Sequence, residues 1–119
     1  YISGQISIDE KGELIKGKVG KNLKTEDGYE AAKRCGLSII SQVKKACNND
    51  LSKVKSCVKL TGFVNSTKDF TEQPKVINGA SDLIVSVFGD GGMHTRAAVS
   101  TNSLPLGVLV EVDAIFELN

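Results

Sequence analysis

The sequence is poor in the residues that build most metal and nucleophile sites. Among its 119 residues are three cysteines and one histidine. Cys35, Cys47 and Cys57 are odd in number and follow neither C-x-x-C nor any other zinc spacing. That argues against a disulfide framework and against a structural zinc site. The simplest reading is three reduced thiols in a cytoplasmic protein, two or more of them buried as small apolar groups. With His94 alone, no multi-imidazole metal site can form within one chain, and no serine stands in G-x-S-x-G. Neither a metal nor an organic cofactor is expected. No charge sign dominates: 15 Lys and Arg face 14 Asp and Glu, a net of +1, and aromatic residues are only 5%. Nucleic-acid binding normally wants a basic surface and stacking platforms, so this balance argues against it and against an anionic membrane partner. Apolar runs are short, as in "GVLVEV" at 107–112, whereas a spanning helix needs about 20 residues. No basic-then-apolar leader is visible. The chain opens on Tyr1 rather than Met, so a further segment upstream is expected.

What is present is ordinary globular usage, 40% hydrophobic and 24% charged over a length that suits one domain, residues 1–119. "YISGQISI" reads as a strand, with Gly4 as a bulge or close approach. "LIKGKVGKNLK" reads as a short second strand or a loop. Thr25 is the expected cap of a helix with Glu26 and Asp27 in its first turn. Ala32, Cys35, Ile39, Val43 and Ala46 give that helix one apolar stripe, and "NND" ends it. "VKSCVKLTGFV" alternates, predicting a strand with Val54, Val58, Leu60 and Val64 on the core face and Phe63 on the other.

Thr71 is the expected cap of a second helix, with Pro74 in its first turn. Its stripe is Val76, Ile77, Ala80, Leu83, Ile84 and Val87; Gly89 ends it, and "GDGG" follows as a flexible loop. "TRAAVS" is a short strand, "TNSLPLG" a turn and "VLVEVDAIFEL" a long strand. The order ββαβαββ is α+β, with two helices that can cover only one sheet face. Phe63, Leu109 and Ile115 then lie on the uncovered face among charged groups, which predicts association through that face.

Three separated segments, in order along nearly the whole chain, carry a resemblance. They are "YISGQI", "VKLTGFVNSTKDFTEQPKVIN" and "TRAAVSTNSLPLGVLVEVDAIFEL". In the last, Arg96 opens a strand, a Leu-Pro turn follows, and Glu111 lies fifteen positions on. This resembles the signature of the Rid family, the YjgF-type reactive-intermediate deaminases also labelled endoribonuclease L-PSP, in a divergent branch. The resemblance implies a chorismate-mutase-like fold with a mixed sheet and a homotrimer with clefts between subunits.

By the same resemblance Arg96 grips a substrate carboxylate, which suits a planar fork of charged donors. Glu111 holds or polarises a water and accepts its proton, Ser3 contacts substrate or water, and Asn78 lies near the site. Ala98 stands where the best-studied members have a cysteine, and those members carry a lid tyrosine upstream of the "SGQ" strand. The implied activity is hydrolysis of 2-imino or enamino acids to 2-keto acids and ammonia. The rival is a non-catalytic trimer that senses a small carboxylate through Arg96, favoured by Ala98 and by a chain that opens after the lid position. A ribonuclease or translation inhibitor is the third reading, disfavoured by charge and composition.

Overall fold

The computed structural model describes residues 1–119. Its elements are β1 (Ile2–Ile6), α1 (Thr25–Ala46), β2 (Val54–Asn65), α2 (Gln73–Phe88), β3 (Thr95–Thr101) and β4 (Val110–Leu118). Short 3-10 turns occupy Leu51–Lys53, Gly89–Gly92 and Pro105–Gly107. The four strands form one mixed sheet in the order β1-β4-β2-β3: β4 is antiparallel to β1 and β2, while β3 runs parallel to β2. The α+β expectation holds, with one strand fewer. "LIKGKVGKNLK" makes only isolated bridges, Lys16 to Val108 and Val19 to Ser66 among them. Its apolar residues come singly between lysines and glycines, so no run is long enough for a ladder. Only Val19 of that stretch is fully buried. Lys18 fastens the segment instead, donating from Nζ to Asn65 Oδ1 (2.7 Å) and to the carbonyls of Ser66 (3.3 Å) and Asn102 (2.5 Å).

The helix starts differ from the sequence reading by one residue each. Lys24 caps α1 and Thr25 is its first helical residue; the Asp27 carboxylate accepts the Lys24 N–H at 2.8 Å. Asp27, in the first turn, thus bonds the backbone of the cap residue itself, and the helix is closed from Lys24 rather than from Thr25. The Thr25 hydroxyl turns instead to Glu72 (3.2 Å), which caps α2 in place of Thr71. Pro74 lies in the first turn of α2 and Gly89 ends it, both as expected. "GDGG" forms the 3-10 turn at Gly89–Gly92 rather than an irregular loop, with Gly92 buried against the Ile84 carbonyl.

The core lies between both helices and one sheet face, where Ile39, Leu60, Ile77, Ile84, Val110 and Val112 are fully buried. Four expected core-side residues fall outside it, and Leu83 is one of them, only half-buried. Ala46 is exposed while Cys47, one residue on, is buried. Val87 is 45% exposed, while Phe88, one residue on, packs against the core. Val58 is 44% exposed and Cys57 is buried, because β2 shifts register against β4 between Cys57 and Lys59. A bulge there inverts which side chains face the core, a reversal that strict alternation cannot show. Leu109 is also corrected: it precedes β4 and is fully buried, not on the uncovered face. Phe63 and Ile115 remain there, half-buried, with Val99 exposed on the neighbouring β3.

Small residues let the helices touch. Added to Gly79 of α2, a Cβ would overlap the Tyr29 carbonyl of α1, and one added to Gly36 would press on Leu83 and Ala80. Gly79→Ala is therefore expected to lower the unfolding free energy by about 1–3 kcal/mol through overpacking, read from urea midpoints at unchanged slope.

All three cysteines are buried and free. Burial, and then the charge of Glu111, pushes the Cys35 thiol up to about 12; burial pushes Cys57 up to about 11. The unfolded thiol titrates near 8.5, so the folded state holds these protons more tightly. The stability present below about pH 8.5 is then lost as pH rises through about 11 to 12. A thiol reagent at pH 8 is expected to label these side chains slowly in the folded protein and all three in urea. Rapid labelling of Cys35 without unfolding would contradict this.

Candidate active site

Arg96 lies on the edge strand β3, paired in register with Leu60 of β2, and Ala98 pairs with Gly62. Leu60 and Gly62 are buried under α2, close enough that a Cβ on Gly62 would strike Ile77. Arg96 and Ala98 therefore rise on the helix side of the sheet, at the margin of α2. There Arg96 Nη1 donates to Asn78 Oδ1 at 2.8 Å and to Ser81 Oγ at 3.1 Å. Asn78 and Ser81 are three residues apart on α2, hence neighbours on one helix face. Both bonds use Nη1, so the two N–H groups of Nη2 and the one on Nε have no acceptor in the chain. The chain's ion pairs are Lys55–Glu117 and Lys75–Glu72. Arg96 thus keeps an unshared positive charge and an open Nε/Nη2 edge, the geometry that binds a carboxylate through two parallel hydrogen bonds.

His94 extends the network. Its Nδ1 lies 2.6 Å from the Gly92 carbonyl oxygen and its Nε2 lies 2.9 Å from Ser81 Oγ. A carbonyl oxygen only accepts, so in the neutral ring Nδ1 carries the hydrogen and Nε2 accepts from the Ser81 hydroxyl. Ser81 in turn receives Arg96. Ser81, Val85, Met93, His94 and Arg96 line an open cleft of about 360 Å³. Ser81 and His94 were not singled out by the sequence reading. The signals were available: three-residue spacing places Ser81 beside Asn78, and His94 precedes Arg96 by two, the period of one strand face.

The other expected residues lie elsewhere. Ala98 is on the same side of β3 but packs against the core and does not line the cleft. Glu111 is half-buried on β4, paired with Ile6 and Phe63 on the face away from the helices. Its carboxylate rests against Gly4, where any Cβ would displace it. Ser3 is exposed on β1 beside Gly4, at the register shift of that strand, and lines a shallow cleft with Gln5 and Gln42. Because β2 separates β4 from β3, Arg96 and Glu111 stand two strands apart across the sheet and three residues apart along it, roughly 10 Å in each direction, and on opposite faces. One chain brings Arg96 and Asn78 together, and brings neither of them to Glu111 or Ser3. No three of His, Cys, Asp and Glu cluster as metal ligands.

The neutrality of the Arg96 partners can be tested directly. Asn78→Asp would give the guanidinium an internal carboxylate. It is expected to weaken binding of a small carboxylate by about tenfold or more, beyond the effect of Asn78→Ala. Isothermal calorimetry on the two variants measures this; equal affinities would show that Asn78 does not set the charge of the cleft.

The family profile of the YjgF/chorismate mutase-like proteins, whose description carries the label endoribonuclease, matches residues 1–118. Protein TCP17 of Trypanosoma cruzi is 48% identical over 120 residues, spanning 100% of this chain and 74% of that protein. The mouse 2-iminobutanoate/2-iminopropanoate deaminase is 31% identical over 116 residues, covering 97% of this chain and 70% of that enzyme. The crystal structure of Atu1372 from Agrobacterium tumefaciens, a protein of unknown function, superposes with a TM-score of 0.96 at 45% identity, over 100% of this chain and 76% of that one. With the Arg96 segment, the mixed four-stranded sheet and the two-helix layer in place, the chain belongs to the YjgF/chorismate mutase-like family, known also as Rid.

Proposed function

We propose that this protein hydrolyses 2-imino or enamino acids to 2-keto acids and ammonia, in a cleft shared between copies of a homotrimer. The observation that carries this reading is the Nε/Nη2 edge of Arg96, charged, unpaired within the chain and facing a cleft. The name of the mouse relative supports the substrate class. Half-buried Phe63 and Ile115, beside exposed Val99, support association through the uncovered sheet face. That is also the face on which Glu111 lies, so a neighbouring copy is the means by which a Glu111 can meet an Arg96.

In this mechanism the substrate carboxylate binds the Arg96 edge, which fixes the adjacent imine carbon. A water oxygen attacks that carbon as the C=N π pair moves to nitrogen. Glu111 from a neighbouring copy takes the proton of the water and hands it to nitrogen. The carbinolamine then collapses: Glu111 takes the hydroxyl proton and passes it to nitrogen, the C=O bond forms as the C–N bond breaks, and keto acid and ammonia leave. The imine carbon is already electrophilic, so positioning and one proton acceptor suffice.

The second reading is a trimer that binds a 2-keto or amino acid without turnover. The separation of Glu111 from Arg96 within one chain, and Ala98 in place of a polar side chain, favour it. It shares the Arg96 clamp and needs no base.

Arg96→Ala is expected to weaken 2-oxobutanoate binding roughly tenfold to a thousandfold or more, and Arg96→Lys to restore only part, since ammonium lacks the fork. Glu111→Gln is expected to leave binding nearly unchanged and to slow ammonia release from a freshly generated 2-imino acid by about a hundredfold or more. A parent chain that releases ammonia no faster than the uncatalysed reaction would favour the second reading. Light scattering should return three times the 12.7 kDa chain mass; a stable monomer at micromolar concentration would contradict the shared cleft.

A further inference from the structure

We infer that His94 is the positioning residue of the carboxylate clamp, acting through Ser81 on Arg96. This rests on the clamp reading above and assigns a role to two residues outside the family's signature segment.

The Gly92 carbonyl can only accept, so at 2.6 Å it fixes the hydrogen of the neutral ring on His94 Nδ1. Nε2 is then a bare acceptor, and the hydroxyl 2.9 Å away must point its hydrogen at it. A serine hydroxyl has one hydrogen and two lone pairs. With its hydrogen committed to His94, Ser81 Oγ presents lone pairs to Arg96 Nη1 at 3.1 Å. The second Nη1 hydrogen goes to Asn78 Oδ1 at 2.8 Å. Two acceptors on one nitrogen orient the plane of a guanidinium. That orientation leaves the Nε/Nη2 edge for a ligand. Without His94, the Ser81 hydroxyl is free to rotate, and its hydrogen can face the arginine, turning an acceptor into a repelling donor.

The anchor of this chain is rigid. Gly92 is buried and packs against the Ile84 and Val85 backbone of α2, so its carbonyl is fixed to the same helix that carries Asn78 and Ser81. His94 lies at the start of β3, one residue before the strand and two before Arg96. The loop between α2 and β3 therefore closes on itself through the imidazole. Arg96 is the only charged side chain that lines the cleft with His94. Asp82, the nearest acid on α2, is held by the Tyr29 hydroxyl at 2.8 Å. No carboxylate competes for the imidazole or the guanidinium.

Histidine occurs once in the chain, so its ring nitrogens are read without assignment ambiguity. Long-range nitrogen–proton correlation on uniformly labelled protein at neutral pH should show the Nδ1–H tautomer, and Ser81→Ala should shift the Nε2 resonance. A dominant Nε2–H tautomer overturns the proposal with no ligand present. Calorimetry with 2-oxobutanoate supplies the functional arm. His94→Ala is expected to weaken binding about fivefold to fiftyfold, a loss on the scale of one charge-linked hydrogen bond. In His94→Gln the side-chain amide offers an oxygen to the Ser81 hydroxyl, and affinity should return to within about threefold of the parent chain. A merely space-filling role would be rescued by an apolar ring instead, so His94→Phe binding as tightly as the parent overturns the proposal. Parent affinity in His94→Ala overturns it too. Arg96→Ala separates the two levels: if it binds as the parent does, the clamp reading fails, whatever the tautomer.

Discussion

The contact between the two helices is the constraint from which the rest of the architecture follows. Gly79 of α2 meets the Tyr29 carbonyl of α1 with no room for a methyl group, and Gly36 meets Ala80. At that separation both helices fit side by side on one face of a four-stranded sheet. The opposite face is left without a layer. Ile77 of α2 also presses on Gly62 of β2, which places the outer margin of α2 over the edge strand β3. Asn78 and Ser81 are thereby held above Arg96, while Glu111 is left on the far face with Phe63 and Ile115.

Electrostatics divides along the same line. A guanidinium beside neutral oxygens keeps its charge available, whereas one beside a carboxylate would have it compensated. On the helix side the only partners of Arg96 are an amide and a hydroxyl. On the far side, Glu111 rests against a glycine and raises the Cys35 thiol beneath it. The two halves of a carboxylate-handling site are both present, separated by two strands and by the thickness of the sheet. In the proposed trimer the uncovered face of one copy, which carries Glu111, would meet the Arg96 margin of another.

Much of this was legible in the sequence, for identifiable reasons. Both helices announced themselves by three- and four-residue periodicity, and alternation placed Leu60 and Val64 of β2 on the core face with Phe63 opposite. Arg96, Glu111 and Asn78 came from the family resemblance of their segments, and the structure joins Arg96 to Asn78. The misses share a cause: each depends on a register or a cap that tertiary packing decides. Val58 and Cys57 exchanged faces at a bulge, and Leu109 turned inward before β4 began. Lys24 and Glu72 displaced Thr25 and Thr71 as caps because Asp27 and the α1–α2 contact supply the bonds. Ser81 and His94 were overlooked because a lone serine and a lone histidine carry no signal until their partners are placed beside them.

The central claim is that Arg96 of one copy works with Glu111 of another, and subunit mixing tests it most directly. Arg96→Ala and Glu111→Gln chains, each inactive alone, would be unfolded together at equal concentration, refolded, and assayed for ammonia release from a 2-imino acid. If the site spans copies, random assembly gives about one interface in four with both native residues, and the mixture should recover about a quarter of the parent rate. Recovery no greater than that of the two variants refolded separately would contradict the shared cleft.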